Sequence, residues 1–217
     1  MTSLSMVCYR APIKVGWKSG MVGKRLFLAT VIALGLAATS AAAQDAFGFD
    51  GDKFVAAVRE RDGNKAIELL RDRPTVINAR DGKGETGLIV AISGRDPDWT
   101  AYLINEGADT NFAARNGDTP LIAAARAGFE DAANWLIARG AKVDAANRMG
   151  ETALILAVQQ RQIPVVKLLL GAGANPDKTD SAQGYSARDY AKRDNRGGEM
   201  LRLIEAKKPK PATAATR

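Results

Sequence analysis

Apolar positions along this chain recur in short bursts separated by glycine-bearing polar turns, and the bursts keep a fixed phase. Gly84, Gly117, Gly150 and Gly184 stand 33, 33 and 34 residues apart. Two positions after each comes a hydroxyl residue (Thr86, Thr119, Thr152, Ser186), and after the first three an apolar pair (Leu88-Ile89, Leu121-Ile122, Leu154-Ile155). A second glycine series, Gly107, Gly140 and Gly173, keeps the 33-residue step, and each member precedes an alanine (Ala108, Ala141, Ala174). Two landmarks sharing one period mark an internal repeat.

Within one unit the pattern predicts turn, helix, turn, helix. Thr119 is a hydroxyl N-cap, and Pro120 takes the first helical position, where its missing N–H costs nothing. Leu121, Ala124 and Ala125 give a short helix with a small apolar face, which Gly128 ends in the left-handed conformation. A second helix near Glu130 to Ala138 presents Ala132, Trp135 and Leu136 at helical spacing and stops at Gly140. Isolated helices below about 12–15 residues are marginal in water. Successive pairs must therefore bury their apolar faces against one another, which makes the fold an all-α solenoid.

These residues resemble the ankyrin repeat, whose pattern runs Gly-x-Thr-Pro-Leu-His-x-Ala-Ala, then a glycine, then Leu-Leu-x-x-Gly-Ala-Asp. The matching stretches begin Gly84-Glu85-Thr86-Gly87-Leu88, Gly117-Asp118-Thr119-Pro120-Leu121 and Gly150-Glu151-Thr152-Ala153-Leu154. They close as Leu103-Ile104-Asn105-Glu106-Gly107-Ala108-Asp109, Leu136-Ile137-Ala138-Arg139-Gly140-Ala141-Lys142 and Leu169-Leu170-Gly171-Ala172-Gly173-Ala174-Asn175. The resemblance implies about five helix-turn-helix units over 52–206: three full repeats (82–114, 115–147, 148–180) between an N-terminal cap (52–81) and a C-terminal cap (181–206). Atypical ends are what a one-dimensional stack needs in order to stop. The chain departs from the family in two ways. Ile89, Ile122, Ile155 and Asp189 replace the usual histidine, which shifts stability toward apolar packing. Arg95 and Arg161 stand where a glycine should end the first helix; Gly94 is expected to take the turn in place of Arg95, and Arg161 has no such relief.

Charge and leader set the address. The net charge of +7 is uneven: residues 1–43 hold five basic and no acidic residues, those from Lys192 onward eight basic and three acidic. The stretch 44–191 between them holds eighteen basic against twenty-one acidic residues. A nucleic-acid footprint needs its cations on the folded body, so nucleic acid is not an expected partner. Lys24-Arg25, the apolar run Leu26 to Ala38 and the small residues up to Ala43 follow the order of a secretory signal. Cleavage is expected after Ala43, with a true start at Met21 and a short linker over 44–51. The alternative is an uncleaved membrane anchor, which about 18 continuous apolar residues would favour; the strong run stops near Ala38. The only cysteine, Cys8, lies in the leader, so an oxidising compartment poses no hazard to the mature chain. A bacterial periplasm is the expected location. The segment 207–217, basic and broken by prolines, is expected to be disordered.

Chemistry adds little to this picture. With no histidine in the chain and no cysteine after the leader, a nucleophile–histidine pair and a zinc site of the usual kind are both excluded. Asp81, Glu85, Asp118 and Glu151 fall on turns and read as solvated charges rather than a carboxylate pair. Gly82-Lys83-Gly84 is too short for a phosphate loop. Trp99, Tyr102 and Trp135 read as packing between repeats. The expectation is a non-enzymatic module with no cofactor or metal, monomeric and without stable membrane insertion once the leader is removed. The resemblance implies that another protein is gripped by turn tips and first-helix ends. The candidates on that surface are Lys83, Glu85, Ser93, Arg115, Asn116, Asp118, Arg126, Arg148, Met149, Glu151, Gln159, Gln160, Gln183 and Tyr185, with Arg115, Arg126 and Arg148 as a basic rung. The alternative use is contact with cell-wall polymer or anionic lipid through tail and groove.

Overall fold

The computed structural model describes residues 50–194 and 198–206. The leader, the Met21 start, the linker as far as residue 49 and the basic tail lie outside the described residues. Helices α1 (50–60) and α2 (Gly63–Asp72) are followed by a 3-10 turn (Pro74–Asn78). Four further hairpins come next: α3 (Gly87–Ser93) with α4 (Pro97–Asn105), α5 (Pro120–Ala127) with α6 (Glu130–Ala138), α7 (Ala153–Gln159) with α8 (Ile163–Gly171), and α9 (Ala187–Arg193) with α10 (Glu199–Ala206). No strand occurs among the described residues. The linker boundary needs correction, because Asp50 and Gly51 are already helical. Asp50 reaches Arg73 at 2.9 Å, and a Cβ on Gly51 would lie 2.7 Å from that of Ala79. Both residues are tied into the first hairpin.

Each first helix starts on its hydroxyl residue. Thr86, Thr119 and Thr152 accept from the backbone N–H of Ile89, Ile122 and Ile155. Ser186 forms a reciprocal box with Asp189, so the aspartate standing in the histidine position caps its own helix. The three isoleucines at that position are almost fully buried. First helices pack on first helices in chain order, second helices on second helices, and one apolar core runs through all five hairpins. Phe54 of α1 lies under Gly87 of α3, joining the N-terminal cap to the row. Trp99, Tyr102 and Trp135 are half-buried against this core, in line with the packing role read from their spacing.

The glycine positions that end the first helices behave differently from expectation at one point. Gly94 is right-handed (φ −78°), and Arg95 itself takes the left-handed conformation (φ 51°). Arg161 (φ 57°) and Arg61 (φ 59°) do the same at the corresponding places, while Gly128 (φ 66°) fills the position in the hairpin between. Two of these arginines recover energy from the next hairpin. Arg61 pairs with Asp96 at 2.5 Å, the residue that caps α4 by accepting from the Trp99 N–H, and Arg161 pairs with Asp194 at 2.9 Å. Arg95 makes no ion pair among the described residues. A left-handed non-glycine residue costs about 1–2 kcal/mol, of which glycine's extra chain entropy offsets about 0.5–1. Arg95→Gly is therefore expected to stabilise by about 0.5–1 kcal/mol. Arg161→Gly should gain less, since it gives up an exposed ion pair worth about 0–1 kcal/mol. Thermal denaturation checks both, and a lowered Tm for Arg95→Gly would reject this reading of the turn.

Candidate functional site

Between hairpins the chain doubles back into narrow fingers, three of them closed by an antiparallel bridge: Arg80 with Thr86, Ala146 with Thr152, and Thr179 with Ser186. An Asx side chain orders the tip. The Oδ1 atom of Asp81 accepts from the Glu85 N–H at 2.9 Å, that of Asn147 from Met149 and Glu151, and that of Asp180 from Gln183 and Gly184. The 33-residue period puts Ala114 at this position in the remaining finger. There the Asx role moves two residues on: Asn116 Oδ1 accepts from the Asp118 N–H and Asn116 Nδ2 donates to Asp118 Oδ2. Successive fingers are joined by backbone bonds from Arg115 N–H to Gly84 O at 2.8 Å, Arg148 to Asn116 at 3.3 Å and Ser181 to Met149 at 2.8 Å.

Most carboxylates in this row are occupied. Arg59 bridges Asp81 at 2.7 Å and Glu85 at 3.0 Å. Burial by itself would raise the Asp81 carboxyl, but the Arg59 guanidinium and the backbone N–H groups of Glu85 and Lys83 outweigh it and hold it below the ordinary range. Asp180 is in the same position: burial pushes up, while the Tyr190 hydroxyl and three backbone N–H groups of its own finger pull its carboxyl down further. Asp118 is a hub between two hairpins. It receives Arg126 at 2.5 Å, Asn116 at 2.8 Å and, from the next finger, Asn147 Nδ2 at 2.9 Å.

Seven of the sequence candidates line one cleft of about 160 Å³ between the first and second fingers: Lys83, Glu85, Ser93, Arg115, Asn116, Asp118 and Arg126. Three expectations on that surface are corrected: Asp81, 7 % exposed and held by Arg59, is no solvated turn charge. Asp118 is 3 % exposed, not a solvated tip. Glu85 and Glu151 occupy the equivalent place in their repeats, but the aspartate is one methylene shorter and folds under the finger. Arg126 is clamped to it and so does not stand in a free basic rung. Arg148 and Met149, the latter 52 % exposed, continue the row on the next finger. Glu151 turns back to accept from Asn147. Gln159, Gln160 and Gln183 are exposed, whereas Tyr185 packs edge-on against Tyr190 beneath the Arg193 guanidinium.

Two features were not found from the sequence. Arg59 lies outside the first full repeat, yet it neutralises the first finger. Along the opposite edge Asn78, Asn111 and Asp144, spaced 33 apart, accept the backbone N–H of Asp109, Lys142 and Asn175 at 2.8–2.9 Å. That spacing was a legible signal. Among the described residues no three metal-ligating side chains converge, and no helix is long and apolar enough to cross a membrane.

Comparison with protein families gives two matches. The model described as ankyrin repeats (3 copies) covers residues 54–147, and that described as ankyrin repeat covers 149–181. The hairpin of α9 and α10 lies beyond both and continues the stack. Comparison with curated proteins gives no match.

Proposed function

The chain belongs to the ankyrin-repeat family, whose stacks hold other proteins, and from that premise we propose that it is an exported adaptor gripping a partner protein with its finger tips and first-helix ends. What supports this reading is the division of labour along the fingers. Asp81, Asp118, Asn147 and Asp180 are spent on ordering the turns, while Lys83, Arg115, Arg148 and Met149 project outward with no carboxylate partner among the described residues. A side chain without a structural duty on an ordered tip is available for contact. The leader read from the sequence supports a periplasmic location, and a chain without cysteine after Ala43 suits an oxidising compartment.

The test is capture from periplasmic extract on the full chain. A stoichiometric protein partner should be retained by the wild type and lost from Arg115→Glu combined with Arg148→Glu, with the circular dichroism unchanged. Retention on isolated envelope that survives those changes and disappears on deleting 207–217 would replace the adaptor reading with attachment to cell-wall polymer or anionic lipid.

A further inference from the structure

We propose that Lys83, Arg115 and Arg148 receive an acidic, proline-rich segment of the partner, held in a polyproline-type extended conformation with a carboxylate at every third residue. The proposal rests on the adaptor reading and specifies its ligand. Three observations carry it.

The first is charge left uncompensated. Every carboxylate beside these cations has a partner within the fold: Asp81 and Glu85 take Arg59, Asp118 takes Arg126, and Glu151 takes the Asn147 amide. Among the described residues the Arg115 guanidinium has a hydrogen bond to the Gly82 carbonyl, at 3.3 Å, and no carboxylate, and neither Lys83 nor Arg148 pairs with any side chain. The second is pre-organisation. The Arg115 side chain lies across Gly84, where a Cβ would come within 3.1 Å of its Nε, and the Arg148 stem lies across Gly117 in the same way. Glycine at both places lets the arginines rest along the row, so less side-chain freedom is lost when an anion arrives.

The third observation is spacing. Packed helices sit about 8–10 Å apart; Arg115 and Arg148, one period apart, inherit that interval, and Lys83 adds a charge on the first finger one position past the place equivalent to theirs. A polyproline helix has three residues per turn and rises about 3.1 Å per residue, so its same-face residues recur at about 9 Å. A flat strand alternates faces and would turn every third side chain away. Exposed Met149, next to Arg148, offers an apolar rest for proline rings. A nucleic acid fits less well. Its charges are closer together, about one per 3.4 Å of each duplex strand, and the stretch 44–191 carries more acidic than basic residues.

The experiment is fluorescence polarisation of a labelled peptide containing Glu-Pro-Pro-Glu-Pro-Pro-Glu against the full chain at low salt. An exposed charge pair contributes roughly a 1.5- to 5-fold change in affinity. Replacing Lys83, Arg115 and Arg148 together by Gln should therefore weaken binding by about tenfold or more. A control lacking three cations of the second helices (Arg71→Gln, Lys167→Gln, Arg202→Gln) should stay within about twofold of wild type, which holds net charge and the terminal basic segments constant. A peptide of the same composition with its three glutamates contiguous should bind several-fold more weakly, as should oligothymidylate. Equal losses in the two triple variants would overturn the proposal, and so would equal binding of the contiguous peptide or of oligothymidylate. A partner captured from periplasm through the finger surface, whose contacting segment lacks acidic residues, would overturn it while leaving the adaptor reading intact. Absence of any captured partner would remove both.

Discussion

Gly117→Ala is expected to destabilise the chain by about 3 kcal/mol, lowering Tm by about 6–12 °C at the roughly 2–4 °C per kcal/mol typical of a domain this size. Two costs combine. The residue has φ 86°, a region that L side chains rarely adopt, at about 0.5–1 kcal/mol net of glycine's extra chain entropy. An added Cβ would also stand 2.7 Å from the Arg148 backbone nitrogen, and backbone cannot swing aside as a flexible side chain does. Relief requires the third finger to retreat, which breaks the bond from Arg148 N–H to Asn116 O and opens the junction; overpacking of this kind adds about 1–3 kcal/mol. Gly140→Ala separates the two costs. Its φ is 83°, but nothing lies within 4 Å of the added carbon, so it should lose only the conformational part, about 0.5–1 kcal/mol once glycine's extra chain entropy is set against it. Urea denaturation of the three proteins measures the gap. Equal losses would mean that the fingers do not approach as closely as 2.7 Å.

The period that makes this comparison possible was visible in the residues alone, and so was nearly everything that follows from local rules. Hydroxyl caps at Thr86, Thr119, Thr152 and Ser186, a left-handed Gly128 and a second helix over Glu130–Ala138 all hold in the structure. Such features depend on residues three or four apart, where backbone geometry leaves few choices. The surface was harder to read because its side chains choose among partners about thirty positions away. Asp118 reads as a solvated turn charge because it falls on a turn, as Asp81, Glu85 and Glu151 do. That reading fails because repeat equivalence fixes where Cα goes and leaves open where a shorter side chain finds its hydrogen bonds. Arg126 was misassigned for the same reason, being the partner of a carboxylate taken to be free. Arg95 shows a third limit: which of two adjacent residues adopts φ above zero is decided by how the next helix docks, and Gly94 alone could not reveal it.

Asp118→Ala is the change expected to separate folding from binding. The carboxylate is 4 % exposed and accepts from Arg126, Asn116 and Asn147. Removing it leaves one N–H of the buried Asn147 amide without an acceptor, since Glu151 takes only the other. An unsatisfied buried donor costs about 1–3 kcal/mol. Arg126, with 43 % of its side chain exposed, returns largely to water and adds no more than about 1 kcal/mol. The expected loss is therefore about 2–3 kcal/mol. Because Asp118 and Asn147 share one bond across 29 residues, a double-mutant cycle with Asn147→Ala should show a coupling of about 1 kcal/mol or more. Additive losses would mean that the hub does not join the two hairpins. Asp118→Asn keeps the shape but turns one acceptor into a donor facing Arg126 or Asn147, so it should fall between wild type and alanine. Both variants release Arg126 into the cleft it shares with Arg115. The acidic proline peptide should then bind a few-fold more tightly to a less stable protein, an opposite movement of the two quantities that a general loosening of the fold would not produce.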